Sequence, residues 1–189
     1  FTAVILSFGL LSAQAADKVL FEDSSFSKEG WSEFAEIPGT GGWEVKRRKL
    51  GELAQAVVQE VTVEGAGGIF LSAGEGSYAS VFRSEDVIYA MRSRNGEQSL
   101  VGQADVTGKV GLRLGFDGAF LIYEYRSGDE WSRLGKSDIV GVVSYTGGIS
   151  TPNRANGMSG YRVAEIESLE GVRFGYTNTP KIPGTPWVV

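Results

Sequence analysis

Val110, Leu112, Leu114 and Phe116 alternate with Gly111, Arg113 and Gly115, so this segment is apolar at every second position. A period of two means a strand with one buried face, because successive side chains of a pleated backbone point to opposite sides. Asp117-Gly118 comes next, a pair that tolerates the positive φ needed at the centre of a tight hairpin. Phe120, Leu121, Ile122, Tyr123 and Tyr125 then form the returning strand. Such a hairpin cannot bury its own oily face and needs a second layer over it.

The same punctuation runs along the chain. Strands are expected over residues 18–22, 43–46, 56–63, 68–72, 78–82, 87–94, 99–106, 109–116, 119–126, 131–134, 139–145, 161–166 and 172–176. Breaks such as Asn95-Gly96 separate them, and Gly supplies 27 of the 189 residues, about twice its usual ~7% share. Many short strands between turn residues predict an all-β fold, a two-sheet antiparallel β-sandwich. The length suits a single domain and buries about two-thirds of the unfolded surface without metal or disulfide. Two segments are less regular. Leu50, Leu53, Ala54, Val57, Val58 and Val61 recur at helical spacing, whereas Gly51 and the β-branched Val57, Val58, Val61, Thr62 and Val63 favour extension. A strand from about Ala56 is expected, with a short helix before it left open. Residues 146–160 hold four Gly and one Pro and read as a long polar loop, often a place of binding on a sandwich.

Residues 1–16 carry no charge and are too few for the ~20 that span a bilayer. Ala13-Gln14-Ala15 offers the small residues that a signal peptidase accepts. Residues 1–15 are read as a signal peptide, 16–176 as the sandwich, and 177–189, with three Pro, as a linker or tail. An exported location is expected: periplasmic, cell-surface or extracellular, in a bacterial setting. The lack of Cys and His removes thiol nucleophiles, the Ser–His–Asp triad, His/Cys zinc sites and haem. A net charge of −5 disfavours general nucleic-acid binding.

Leu112-Arg113, Asp117-Gly118, Tyr123 with Tyr125, Ser127-Gly128-Asp129 and Trp131 follow one another within residues 110–135. That order resembles a signature of concanavalin A-like sandwich domains, among them laminin G-like modules and the C-terminal domain of some β-xylosidases. The opening, Val19 to Asp23 and then Gly30-Trp31 and Trp43-Glu44-Val45, is similar to the start of the same class. It is also similar to the 3-keto-disaccharide hydrolase-like sandwich. The resemblance implies a concanavalin A-like jelly roll. That fold hosts lectins, glycan-binding modules, hydrolases and lyases, so no single activity follows from it.

Sugar rings stack their C–H faces on aromatic rings, which makes Trp31, Tyr78, Tyr89, Tyr145 and Tyr161 candidates for a glycan site. Tyr145 and Tyr161 flank the polar loop that holds Asn153. Tyr123, Tyr125 and Trp131 are expected in the core. Arg92 and Arg94 share one strand face, and with Arg83, Arg113 and Arg126 on neighbouring strands they would suit an acidic polysaccharide. The plainer alternative is cross-strand ion pairing to Glu85, Asp105 or Glu124. Glu165, Glu167 and Glu170 resemble the catalytic strand of laminarinase-type glycoside hydrolases, which implies nucleophile, tuning and acid/base roles in that order. Alternation puts Glu165 and Glu167 on one face, and a bulge would bring Glu170 round; a charged edge strand is the plainer alternative. Glu22, Asp23 and Asp138 supply hard oxygen ligands for a structural calcium. Together these features favour an exported, non-catalytic module recognising a polysaccharide, with a glycoside hydrolase or a ligand-free structural envelope protein as alternatives.

Overall fold

A computed structural model describes residues 18–32, 35–36, 44–51, 57–73, 76–116, 120–138, 145–151 and 157–165. Thirteen strands account for about three-quarters of them. They are β1 (Lys18–Asp23), β2 (Ala35–Glu36), β3 (Glu44–Gly51), β4 (Val57–Val63), β5 (Gly67–Ser72), β6 (Tyr78–Ser84) and β7 (Val87–Arg94). Then come β8 (Glu97–Asp105), β9 (Val110–Phe116), β10 (Phe120–Arg126), β11 (Trp131–Asp138), β12 (Tyr145–Thr151) and β13 (Met158–Glu165). A smaller sheet runs β1-β13-β4-β9-β10-β11 and a larger one β2-β3-β12-β5-β6-β7-β8. Every pairing is antiparallel. The fold is an all-β, two-sheet antiparallel sandwich. Among the described residues no helix is long and apolar enough to cross a membrane.

Most expected strands are present with ends shifted by a few residues. Asn95 and Gly96 both have positive φ, 52° and 84°, as a tight hairpin requires. Asp117-Gly118 lies outside the described residues, though β9 and β10 pair antiparallel on either side of it. The expected strands over 139–144 and 172–176 and the tail also lie outside. Two expectations need correction. Residues 146–151 are not loop: they belong to β12, hydrogen-bonded to β3 on one side and β5 on the other. Gly147 and Gly148 have little strand preference of their own, and two ladders supply what propensity lacks. Residues 47–51 are not helical either, since β3 runs through them. Lys46 and Arg48 face inward while Arg47 and Lys49 face solvent, which is a period of two concealed in a run of four cations.

The core forms where the inner faces meet. The smaller sheet contributes Val57, Val61 and Val63 from β4, Leu112 and Leu114 from β9, and Leu121 and Tyr123 from β10. The larger sheet answers with Ile69 and Leu71 from β5, Ala79 and Val81 from β6, and Ile88 and Ala90 from β7. Each fully buried large aliphatic side chain stabilises the fold by ~1.5–3 kcal/mol. The sandwich closes along one side where edge strands β8 and β11 touch. Val101 is the extra residue of a bulge in β8, and Leu134 of a bulge in β11. Bulges bend their strands, and here they bring Gly102 onto the Leu134 backbone and Gly135 onto Val101.

One polar bridge crosses the interior. The Tyr161 hydroxyl donates to Gln59 Oε1 at 2.6 Å, and Gln59 Nε2 donates to the Phe70 carbonyl at 3.2 Å, joining the two sheets. Tyr161→Phe leaves a buried acceptor unpaired and is expected to cost about 1–3 kcal/mol. Urea unfolding checks this, with the midpoint falling and the slope unchanged. Burial also pushes the hydroxyls of Tyr123 and Tyr161 well above their ordinary pKa of 10.0. In the unfolded chain both ionise near 10.0, so that state holds fewer protons above this pH. Their stabilising contribution is complete below that pH and is lost above it, by ~1.4 kcal/mol per pH unit for each tyrosine. Stability followed from pH 9 to 11 is expected to fall in this way, and Tyr161→Phe to flatten the fall.

The outer face of the smaller sheet carries charges of alternating sign. In cross-strand register stand Glu22, Arg162, Glu60, Arg113, Glu124 and Arg133. Arg113 lies 2.6 Å from Glu60 and 3.5 Å from Glu124, Arg162 is 3.4 Å from Glu60, and Arg133 is 3.6 Å from Glu124. Trp131, expected in the core, lies instead on this outer face. It covers Gly111, with the guanidinium groups of Arg113 and Arg126 4.0 and 4.8 Å from its ring.

Candidate functional site

The outer face of the larger sheet differs from that ladder. Alternation along β6 turns Ala79 and Val81 into the core and leaves Tyr78, Ser80 and Phe82 on the outside. On β7 the outward set is Tyr89, Met91 and Ser93. Phe82 and Tyr89 are cross-strand partners whose rings stack with centroids 5.5 Å apart. Four residues along β6, or ~13 Å at ~3.3 Å per residue, stands Tyr78. Gln98 Nε2 donates to its hydroxyl at 2.6 Å. Burial raises the Tyr78 pKa against the lowering effect of that bond, so the hydroxyl stays protonated and able to donate. All three rings are half-buried, with exposed Gln98 and Gln103 on the adjoining edge strand β8. Phe70 and Met91, on the same face between the two aromatic positions, are buried. On the far flank β3 contributes Arg47 and Lys49, both exposed.

This face can offer flat apolar rings beside amide and hydroxyl groups, the combination that suits a polar ring with one apolar side. Tyr78 and Tyr89 were legible as candidates. Phe82, Arg47 and Lys49 were not, because the outward parity of β3 and β6 shows only once the inner face is known.

The other candidates disperse. Tyr161 is fully buried, packed edge-on against Trp31 and Phe21, so no sugar can stack on it. Trp31 is tied into the same cluster, its Nε1 donating to Asp23 Oδ2 at 3.0 Å. The side chain of Tyr145 and all of Asn153 lie outside the description. Arg92 and Arg94 do share a face, but it is the inner one, level with Ala79 and Ile88. Arg92 is half-buried there and its Nε has no hydrogen-bond partner. Arg83 is buried at the opposite end of that inner face, bonded to the carbonyls of Glu85 and Gly108 and paired with Asp86. Arg113 and Arg126 belong to the other sheet, so the five arginines form no common cluster.

Glu165 pairs with Lys18 at 3.0 Å across β13 and β1. Glu167 and Glu170 lie outside the described residues. The calcium set does not assemble. Glu22 and Asp138 stand on opposite edge strands of the smaller sheet, five inter-strand steps or ~24 Å apart. The Asp23 carboxylate is already occupied by the backbone N–H groups of Ser25 and Lys28, at 3.1 and 2.7 Å, and by Trp31. Among the described residues no group of three or more acidic side chains could hold a metal ion.

No protein-family model matches the sequence, and no curated protein matches it. Solved structures are similar to this chain. Bacteroides ovatus xyloglucan PUL GH43B is similar at 12% identity with a TM-score of 0.52, over 76% of this chain and 38% of that one. The carbohydrate-binding module CBM66 of Bacillus subtilis is similar at 12% identity with a TM-score of 0.45, over 72% and 92%. The legume lectin-like domain of Entamoeba histolytica is similar at 15% identity with a TM-score of 0.46, over 76% and 85%. The chain thus spans well under half the length of the GH43B protein, and what the likeness carries over is the sandwich.

Proposed function

We propose that this chain is a non-catalytic module that binds a polysaccharide on the outer face of its larger sheet. The observation that carries this is the pair of half-open aromatic stations, Tyr78 and the Phe82–Tyr89 stack, backed by Gln98 and Gln103. Stacking rings flanked by neutral hydrogen-bonding groups are suited to holding sugars without cleaving them. Export belongs to the same proposal and is supported by the uncharged leader-like segment over residues 1–16.

The test is binding to a panel of neutral and acidic polysaccharides by affinity electrophoresis or calorimetry. Tyr89→Ala is expected to weaken binding about tenfold, ~1.4 kcal/mol, and Tyr78→Ala to act similarly, both variants staying folded. Failure to bind any glycan in the panel would overturn the proposal. Sugar release by the intact protein, lost in Glu165→Gln, would replace it with hydrolysis.

A further inference from the structure

We propose that the polysaccharide is acidic, a chain bearing carboxylate or sulfate groups, and that Arg47 and Lys49 receive those groups. This rests on the reading above that the outer face of the larger sheet takes a glycan. The chain has 18 Lys+Arg against 23 Asp+Glu, so acids are plentiful, and most described cations are engaged. Arg113, Arg133 and Arg162 serve the ladder, while Lys18 and Lys109 pair with Glu165 and Glu64. The inward neighbours of the two cations on β3 are also engaged: Lys46 donates to the Phe26 carbonyl and Arg48 to that of Glu29.

Arg47 and Lys49 differ. Both are exposed, both point outward from the same strand, and among the described residues neither side chain meets an acid, a carbonyl or a ring. A net charge of −5 repels polyanions at long range, so a local pair of exposed cations with no acidic partner among the described residues is what would select an anionic ligand. The Arg fork matches a carboxylate or sulfate with two parallel hydrogen bonds, and Lys adds a point charge beside it.

Register supplies the rest of the geometry. Gly148 lies opposite Arg47 on the next strand, so no side chain separates Arg47 from β5 at that level. Lys49 shares one cross-strand row with Tyr78, through residues 146 and 72. Three inter-strand steps make that ~14 Å, the span of a short oligosaccharide crossing the strands. A chain lying along that row would stack at Tyr78 and bring its acid groups to β3.

The probes are polygalacturonate and dextran sulfate as acidic chains, neutral dextran and unsubstituted xylan, and duplex DNA as a polyanion without the sugar geometry. At about 0.05 M salt an acidic probe is expected to bind at least about tenfold more tightly than the neutral chains, with the preference fading toward about 0.5 M. The double variant Arg47→Ala/Lys49→Ala should lose about tenfold on the acidic probe and nothing on a neutral one, with unchanged unfolding. Equal affinity for acidic and neutral chains, or a double variant as tight as the parent, would overturn the inference. So would DNA binding as strong as polygalacturonate binding and equally sensitive to the variant. Neutral binding that disappears in Tyr89→Ala leaves the glycan face standing while this inference fails, whereas no glycan binding at all removes both.

Discussion

Gly102→Ala is expected to be among the most damaging single changes in this protein. A Cβ at that position would stand 2.1 Å from the Leu134 carbonyl oxygen and 2.9 Å from its carbonyl carbon. Both are backbone atoms, so no side chain can swing aside, and relief requires β8 and β11 to part along the seam. Overpacking usually costs 1–3 kcal/mol when side chains can adjust; here the expected loss is about 3 kcal/mol or more. At ~2–4 °C per kcal/mol for a domain of this size, the thermal midpoint drops by about 10 °C. Gly65→Ala is the control, because a Cβ there meets nothing within 4 Å, and it should stay within ~0.5 kcal/mol of the parent. A Gly102→Ala protein as stable as that control would mean that the two edge strands do not touch.

The second large effect is expected from Asp23→Ala. One carboxylate holds together the turn after β1: Oδ1 accepts from Ser25 N–H, and Oδ2 from Lys28 N–H and Trp31 Nε1. Trp31 in turn packs edge-on to Phe21, Phe26 and Tyr161, with centroids 5.9, 6.4 and 4.9 Å away. Removing the carboxylate leaves several partly buried donors unpaired and loosens that aromatic group, for about 3 kcal/mol in all. Asp23→Asn restores only part of this, since its amide nitrogen turns a donor toward donors. Burial alone would raise the pKa of Asp23, but the bonds from Lys28, Ser25 and Trp31 outweigh it and hold the group below its ordinary 3.8. The stabilising contribution is complete above pH 3.8 and disappears as pH falls through the lower value of the folded state. Acid unfolding monitored by tryptophan fluorescence should show that component in the parent and lack it in Asp23→Asn. An unchanged acid limb would contradict the assignment.

How much of this was legible beforehand depended on whether the signal was local. The alternation over 110–116 identifies β9 and its inward residues because a period of two survives without knowledge of any neighbour. Residues 146–151 defeated the same reading. Their glycines reveal no face, and β12 exists only because β3 and β5 flank it. Tyr161 and Trp131 exchanged expected roles for a related reason. An aromatic residue shows that area must be covered, not which side of the sheet covers it. The Lys46–Lys49 run carried the missing clue to the outer face of the larger sheet, but helical spacing a few residues later masked its two-residue period. Of the candidate site, Tyr78 and Tyr89 were visible from residue type, whereas their companions depended on sheet order, which joins segments far apart in the chain.

The row of alternating charges on the smaller sheet bears on how those distant segments find their places. Strand β13 must insert between β1 and β4, whose partner residues lie as far as 147 (Lys18 to Glu165) and 108 (Val57 to Glu165) positions away in the chain, and such remote pairings form slowly. Two Glu-bearing or two Arg-bearing strands of this row placed side by side would set one carboxylate against another or one guanidinium against its like. Native neighbours alternate in sign along the whole row, so the pattern disfavours any arrangement that sets two strands of like charge side by side.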